Sequence, residues 1–287
     1  MTVGTIDPNA VGPGALTPDG SGAPQAAGGR LRWVFTDAVT VTWRNLVAYT
    51  RIPDAIFFSS IQPIMFVLLF RYVFGGAIHI PGTTYVNFLI AGVYVQTVMF
   101  GCVSTSVGLA DDLHKGLIER FRALPMARSA VLAGRTTADA LRNVLVLVII
   151  TVVGYLVGFR VQTNFGLFLC GLLLVLFFAY AVGWGFAIVG LTASTSESAQ
   201  LAAFPLLFPL TFASSAFVTT ASMPGWLQAF AKNQPVSQLV DACRQLMLGD
   251  SPTHVWTPNS IWISAVWAVG ILAVFVPLAV RRYRKVS

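Results

Sequence analysis

Long apolar runs that carry almost no charge limit the fold of this chain more than any other feature. They lie at about 55–73, 85–109, 143–159, 165–193, 201–218 and 260–280. About 20 apolar residues in a helix span the hydrocarbon core of a bilayer. Because 56% of the 287 residues are hydrophobic and only 10% are charged, a soluble domain is excluded. The sequence therefore predicts an all-α membrane protein with six transmembrane helices.

The segments before the first run predict how the chain is divided. Residues 1–29 are rich in Gly, Pro and Ala and contain no base, so we expect a disordered cytoplasmic tail. Residues 30–287 are expected to form one transmembrane domain. Apolar residues recur at intervals of three and four between Arg30 and Arg51. This pattern favours an N-terminal amphipathic helix at the membrane interface over a helix of a soluble domain.

The positive charges predict the orientation of the chain. Six spans place both termini on one side of the membrane. Of the 18 Lys and Arg residues, only Arg71, Arg160, Lys232 and Arg244 fall on or near the other side. Basic residues concentrate in cytoplasmic segments. Both termini are therefore expected to be cytoplasmic in the plasma membrane, and the positive net charge indicates topology rather than binding of nucleic acid.

The sequence contains no HExxH or GxSxG motif and no pair of acids inside a span. None of His79, His114 and His254 has a metal-ligand partner three or four residues after it, and no GxxxxGK[ST] phosphate-binding loop is present. The spans contain no Asp, Glu or Lys well inside the hydrocarbon, which disfavours a carrier coupled to protons or sodium. We expect no enzyme activity, no metal site and no cofactor on this chain, so uphill transport would need energy from another subunit.

Three polar residues inside the first two spans could line a transport pathway: Gln62, Arg71 and Gln96. Arg71 could instead extend its side chain to the outer interface. The small and mildly polar residues around Gln96 could instead allow two helices to pack closely. The residues alone leave these alternatives open.

The polar segment Asp111–Arg135 separates spans two and three. One stripe of it is apolar at helical spacing: Leu113, Leu117, Phe121 and Leu124. Pro125 ends this pattern, because proline removes a backbone donor and disfavours helix in the preceding residue. The sequence predicts a short amphipathic helix at about 111–124.

The stretch Gly116-Leu-Ile-Glu-Arg-Phe-Arg-Ala-Leu-Pro-Met-Ala-Arg-Ser resembles the central cytoplasmic signature of ABC-2 type exporter permeases. The resemblance implies that the helix at about 111–124 is a coupling helix, which sits in a groove of an ATP-binding subunit. A surface helix that only turns the chain is the alternative. The residues expected to contact that subunit are Asp112, Lys115, Gly116, Glu119, Arg120, Arg122, Pro125 and Arg128.

A second stretch, from Ser222 to Arg244, is similar to the signature that follows span five in the same family. Its Asn-Gln-Pro form is especially similar to the daunorubicin-resistance (Drr) permeases of actinobacteria. The resemblance implies short re-entrant helices on the extracytoplasmic side that close the exit, whereas a soluble cap without gating is the alternative. The matching residues are Pro224, Trp226, Asn233, Pro235 and Arg244.

The two resemblances together imply the membrane subunit of an ATP-driven exporter. Two permease copies, as a homodimer or a paralogous heterodimer, would assemble in membrane lipid with two ATP-binding subunits that hold ATP and Mg. A hydrophobic drug or lipid is the expected cargo, because the spans carry no acidic or basic lining. A polysaccharide or glycolipid export permease and a membrane scaffold without transport are the alternatives.

Overall fold

All the regular structure in the described part of the chain is helical. The computed structural model describes residues 39–40, 42–43, 53–116, 128–250, 256–257 and 259–286, and these residues form no strand. The α-helices in these ranges are α1 (Pro53–Leu69), α2 (Tyr85–His114), α3 (Arg128–Leu156), α4 (Phe165–Thr192), α5 (Ser196–Phe212), α6 (Gly225–Asn233), α7 (Pro235–Leu248) and α8 (Ser260–Val286). A π-helix, Phe70–Phe74, continues α1, and a short 3-10 helix, Thr220–Ser222, precedes α6.

Four of the described helices are long and apolar enough to cross a membrane: α2, α4, α8 and the Leu132–Leu156 part of α3. They coincide with four of the six predicted spans. The other two predicted spans fall on α1 and α5, which have 17 residues each. The structure confirms an all-α membrane protein, while the six-span topology stays a prediction.

Helix α2 lies at the centre of the bundle. In the most apolar stretch of α2, 83% is buried inside the protein, whereas in the corresponding stretch of α8 only 17% is buried. It packs against α1, α3, α4, α5 and α7. The outer helices therefore turn large apolar side chains away from the protein, where lipid or another subunit can cover them.

Two glycines allow backbones to meet at the centre of the bundle. A Cβ atom at Gly92 on α2 would overlap the backbone of Ala216, and one at Gly190 on α4 would overlap the carbonyl of Ser106. Small residues at helix crossings permit such close approach. These contacts fix α2 against α4 and against the segment that follows α5.

Helix α3 begins well before the predicted third span, which starts at Asn143. It runs continuously from Arg128, so Arg135 and Arg142 lie on the same helix as the apolar part. The predicted interfacial helix is described only at residues 39–40 and 42–43, which are helical. There the Thr42 hydroxyl donates a hydrogen bond to the Gly134 carbonyl at 3.1 Å. The predicted tail, 1–29, lies outside the described residues.

The end of α5 is packed by a group of aromatic rings. Pro205 and Pro209 lie inside α5 without ending it, and the helix stops at Phe212, before the end of the predicted fifth span at about 218. The chain then turns back, and the Phe217 ring stacks on Phe70 of the π-helix with 4.6 Å between centroids. It also stacks on Phe212 at 5.5 Å. The segment 213–217 is thereby held inside the bundle, next to α7.

Candidate functional site

A buried arginine on α7 connects three parts of the bundle. Arg244 is 0% exposed. Its Nε donates to the Phe88 carbonyl of α2 at 3.1 Å. Its Nη2 donates to the carbonyls of Ser215 and Ala216 at 2.7 and 3.1 Å, and its Nη1 donates to Asp241 Oδ1 at 3.1 Å. The planar guanidinium also lies over the Phe88 ring, 3.4 Å from its centroid.

The carboxylate of Asp241 completes this arrangement. Besides Arg244, its Oδ1 accepts a hydrogen bond from the Ser215 hydroxyl at 2.8 Å. Its Oδ2 accepts from the backbone N–H of Thr257 at 3.1 Å and from the Thr257 hydroxyl at 3.0 Å. We call the set Phe88, Ser215, Ala216, Asp241, Arg244 and Thr257 the Arg244 clamp. It ties α7 to α2, to the end of α5 and to the residues before α8.

The energetics of burial explain why so many partners surround this pair. Moving a charged side chain out of water into the protein costs on the order of several kcal/mol. Attraction within an ion pair offsets that cost only when further hydrogen bonds satisfy both ions. The clamp supplies carbonyls for the cation and hydroxyl and amide donors for the anion. The clamp is therefore a rigid, directional joint rather than a loose surface contact.

The remaining predicted exit residues lie outside the Arg244 clamp. Pro224 precedes α6, and Trp226 in its first turn is 77% exposed. The side chain of Asn233 donates to the Ala229 carbonyl at 2.8 Å, at the end of α6. Pro235 begins α7, where a missing backbone N–H costs nothing. Of the five predicted residues, the structure places only Arg244 in the clamp.

A cavity of about 470 Å³ lies between α1, α2, α3 and α5. Two of the predicted pathway residues, Gln62 and Gln96, line it, whereas Arg71 on the π-helix does not. Further polar groups come from α3 and α5. The polar and aromatic lining residues are Gln62, Phe66, Gln96, Thr97, Phe100, Ser104, Arg135, Arg142, Asn143, Gln200 and Phe204.

The two arginines in this lining correct one premise of the sequence interpretation, which held that the spans offer no charged lining. Arg142 donates to the Gly101 carbonyl of α2 at 3.0 Å. Arg135 lies 3.3 Å from Asp112 Oδ2 and 3.7 Å from Asp139 Oδ2. Because α3 continues back to Arg128, Arg135 of the predicted polar segment lies on the same helix as the third span and reaches the cavity together with Arg142.

Comparison with known proteins identifies the family. The ABC-2 type transporter family matches residues 36–248. The chain belongs to the ABC-2 type transporter family. As a member, it is a membrane permease, and permeases of this family work with an ABC ATP-binding subunit.

Three relatives match nearly the whole length of this ABC-2 permease. The daunorubicin resistance ABC transporter permease protein DrrB1 of Streptomyces coeruleorubidus is 36% identical over 86% of this chain and 85% of its own. The probable doxorubicin resistance ABC transporter permease protein DrrC of Mycobacterium tuberculosis is 27% identical over 86% and 87%. The doxorubicin resistance ABC transporter permease protein DrrB of M. tuberculosis is 26% identical over 88% and 90%.

The first signature, which begins at Gly116 and is predicted to be cytoplasmic, lies only partly within the described residues. Lys115 follows the end of α2, and its Nζ lies 2.8 Å from Asp111, a hydrogen bond that raises the pKa of Lys115. Gly116 has a φ of 65°, a backbone conformation that favours glycine. Arg128 begins α3, and its side chain is not described. The predicted coupling residues Glu119, Arg120, Arg122 and Pro125 lie outside the described residues.

Some residues of these sites escaped the sequence interpretation. Asp241 was inside the second signature but received no role, although its spacing of three from Arg244 places both on one face of a helix. Arg135, Arg142 and Asn143 fall seven and eight apart, which is also one helical face. The spacing was visible, but it could not show which neighbours that face meets.

Proposed function

We propose that this permease exports a hydrophobic drug or lipid from the cytoplasm or the inner leaflet, powered by a separate ATP-binding subunit. The observation that carries the proposal is the near full-length match to permeases named for daunorubicin and doxorubicin resistance. The cavity of about 470 Å³ supports it, since drug-sized ligands occupy cavities of about 300–1,000 Å³.

The proposed assembly contains two permease copies and two ATP-binding subunits, with both termini of the permease in the cytoplasm. The exposed apolar faces of α3 and α8 provide surface for lipid and for a second copy. ATP and Mg²⁺ would be held by the partner subunits. The chain itself would supply the pathway and the surface on which the partners act.

The proposed mechanism uses α2 as a rigid connection between the two sides of the membrane. Its 30 residues extend about 45 Å at 1.5 Å per residue. The predicted coupling helix, at about 111–124, begins in the last turn of α2, and the other end of α2 meets Arg244 through the Phe88 carbonyl. Closure of the ATP-binding subunits would push the coupling helix, move α2 and shift α7 through the Arg244 clamp.

The experiment that tests this proposal removes the charge pair predicted to dock on the ATP-binding subunit. The double variant Glu119→Ala, Arg120→Ala is expressed with the partner subunit, and ATP-driven uptake of doxorubicin is measured in inverted membrane vesicles. A matched control is Lys232→Ala, Asp250→Ala, which also removes one base and one acid but on the predicted outer side. We expect the first variant to lose uptake and the control to keep it, with equal amounts of both in the membrane.

Co-purification distinguishes loss of docking from loss of folding. The wild-type permease should pull down the ATP-binding subunit in mild detergent, and the Glu119→Ala, Arg120→Ala variant should not. Full ATP-dependent uptake by that variant would overturn the proposed mechanism. A folded permease from which no nucleotide-binding protein is recovered would instead support the scaffold alternative.

A further inference from the structure

The last helix, α8, ends in a cluster of basic side chains around one buried tyrosine. Tyr283 is only 2% exposed. It lies in one apolar cluster with Leu109 of α2, Leu132 of α3 and Trp184 of α4. The packing of Tyr283 therefore fixes which way the end of α8 is turned. Its four basic neighbours are exposed: Arg281, Arg282, Arg284 and Lys285.

These four bases have no acidic partner on the protein. Within the part of the chain that the structure describes, none of them takes part in a salt bridge. The acids at the same end of α2 and α3 are already paired, Asp111 with Lys115, and Asp112 and Asp139 with Arg135. A concentration of exposed positive charge without counter-ions attracts anions.

An exposed apolar line on α8 leads to two of the bases. Val274 is 55% exposed and Leu278 is 44% exposed. Successive residues of a helix turn by about 100°, which places these two residues and two of the bases on one line, on the side of α8 opposite Tyr283. We call this line the α8 stripe, and its members are Val274, Leu278, Arg281 and Lys285.

The spacing along the α8 stripe fits one leaflet of a bilayer. Val274 lies seven residues before Arg281, which is about 10 Å at 1.5 Å per residue. Half of a hydrocarbon core of about 30 Å is about 15 Å. With Arg281 at the level of the headgroups, Leu278 and Val274 therefore face acyl chains of the same leaflet.

The two bases of the stripe are placed to share one phosphate group. Arg281 and Lys285 are four residues apart, so their side chains are neighbours on the helix surface. A guanidinium group can donate two parallel hydrogen bonds to phosphate oxygens, and an ammonium group adds a further charged donor. A phosphate at the end of an acyl chain would contact both parts of the stripe at once.

We propose that the α8 stripe binds an anionic phospholipid, with the phosphate held by Arg281 and Lys285 and an acyl chain lying along Leu278 and Val274. Bases beside a membrane span attract anionic headgroups. The rule that predicts topology counts such bases and does not depend on the face of the helix on which they lie. The proposal concerns a lipid of the surrounding membrane and goes beyond the exporter function.

A fluorescent reporter on the stripe measures which lipid lies beside it. Val274→Cys is made in a Cys170→Ser background, in which the remaining Cys102 and Cys243 are buried. The full-length permease is labelled with bimane, joined to its ATP-binding subunit and reconstituted in vesicles of dioleoyl-phosphatidylcholine. Quenching is then compared between phosphatidylglycerol and phosphatidylcholine, each brominated in its acyl chains. We expect phosphatidylglycerol to quench at mole fractions at least about fivefold lower, the effect of one base near an anionic headgroup.

Two pairs of substitutions at the end of α8 test the assigned bases. Arg281→Gln, Lys285→Gln should lower the preference for phosphatidylglycerol at least about fivefold. Arg282→Gln, Arg284→Gln is the matched control, because it removes the same charge from the two flanks of the stripe, and it should keep the preference. Arg281→Lys, Lys285→Arg exchanges the two bases without changing the charge and should keep the preference as well.

Three results would overturn the proposal. Equal quenching by the two lipids in the unsubstituted reporter protein would mean that the stripe has no preference for an anionic lipid. Equal loss of preference in the two glutamine pairs would mean that charge attracts the lipid without a defined site. If Arg281→Gln, Lys285→Gln abolished co-purification of the ATP-binding subunit and left the lipid preference unchanged, the stripe would be a protein interface. None of these results depends on doxorubicin uptake, which tests the exporter function separately.

Discussion

Asp241 and Arg244 form an ion pair within a single turn of α7, with 3.1 Å between Oδ1 and Nη1, and Arg244 is fully buried. Most of the partners of this pair belong to other parts of the chain. Phe88 lies 156 positions away and Thr257 lies 16 positions from Asp241. The pair therefore acts on the tertiary structure, by holding α7 against α2 and the end of α5.

Replacing Arg244 by lysine should destabilise the protein although the charge is kept. A single ammonium group cannot reproduce a planar fork that reaches Asp241 and three carbonyls. We expect Arg244→Lys to lower the free energy of unfolding by about 3–5 kcal/mol, the scale for breaking a buried ion pair. The thermal melting of the detergent-solubilised protein measures this loss.

Arg160→Lys is the matched control for this substitution. The Arg160 guanidinium also donates to two carbonyls, those of Tyr155 and Phe159, but the residue is exposed. We expect its melting temperature to stay close to that of the wild type. Equal melting temperatures of the two lysine variants would show that the buried fork contributes little.

Removing the charge of Asp241 should cost less stability when Arg244 is already absent. Asp241→Asn leaves the guanidinium buried without its counter-ion, and Arg244→Met leaves the carboxylate with Ser215 and Thr257 as its partners among the described residues. Because each single variant leaves one buried charge without the other, the double variant should lose less stability than the two losses added together. A double-mutant cycle from melting data measures the difference. Strict additivity would mean that the two groups do not interact.

Gly92→Ala should disrupt the packing of α2 on the end of α5. Its new Cβ atom would overlap the backbone of Ala216, which cannot rotate away as a side chain can. Gly270→Ala on α8 is the control, because a Cβ there meets nothing within 4 Å. The control should keep or slightly raise stability, by about 0.5–1 kcal/mol, since alanine favours helix. A melting temperature for Gly92→Ala equal to that of Gly270→Ala would contradict this account of the crossing.

The sequence could predict the helices but not which of their faces meet. The second signature, Ser222 to Arg244, indicates the region of α6 and α7, and Pro235 begins α7 because a proline acts on the backbone locally. The three partners of Arg244 outside α7 are Phe88, Ser215 and Ala216, and nothing in their local sequence indicates a bound guanidinium. Such partners are set by tertiary packing.

The cavity residues were predictable only where a feature of the local sequence marks them. Gln62 and Gln96 were recognised because a polar residue in an apolar run is conspicuous by itself. In the sequence, Arg135 ends the polar segment and Arg142 directly precedes the apolar part of the third helix, so both are expected on the cytoplasmic side rather than in a cavity. Only the continuity of α3 from Arg128 to Leu156 brings them to the cavity.

The orientation of the chain can be measured with two lysines that the topology places on opposite sides. Cys102 and Cys243 are buried and Cys170 is exposed, so Cys170→Ser gives a background with low reactivity. In that background we expect Lys232→Cys to react with a membrane-impermeant maleimide in intact cells. Lys115→Cys should react only after the cells are opened. The reverse pattern would invert the topology.

Labelling of a third position distinguishes re-entrant helices from a soluble cap. Trp226 on α6 is 77% exposed within the single chain. Only lipid or another subunit could therefore shield this side chain from water. Maleimide reacts with the thiolate, which forms readily in water and poorly in an apolar environment. If α6 dips into the membrane, Trp226→Cys should react much more slowly than Lys232→Cys and should speed up when detergent replaces the bilayer. Equal rates in intact membranes would make α6 part of a soluble cap, since exposure to water at both positions is what that arrangement requires.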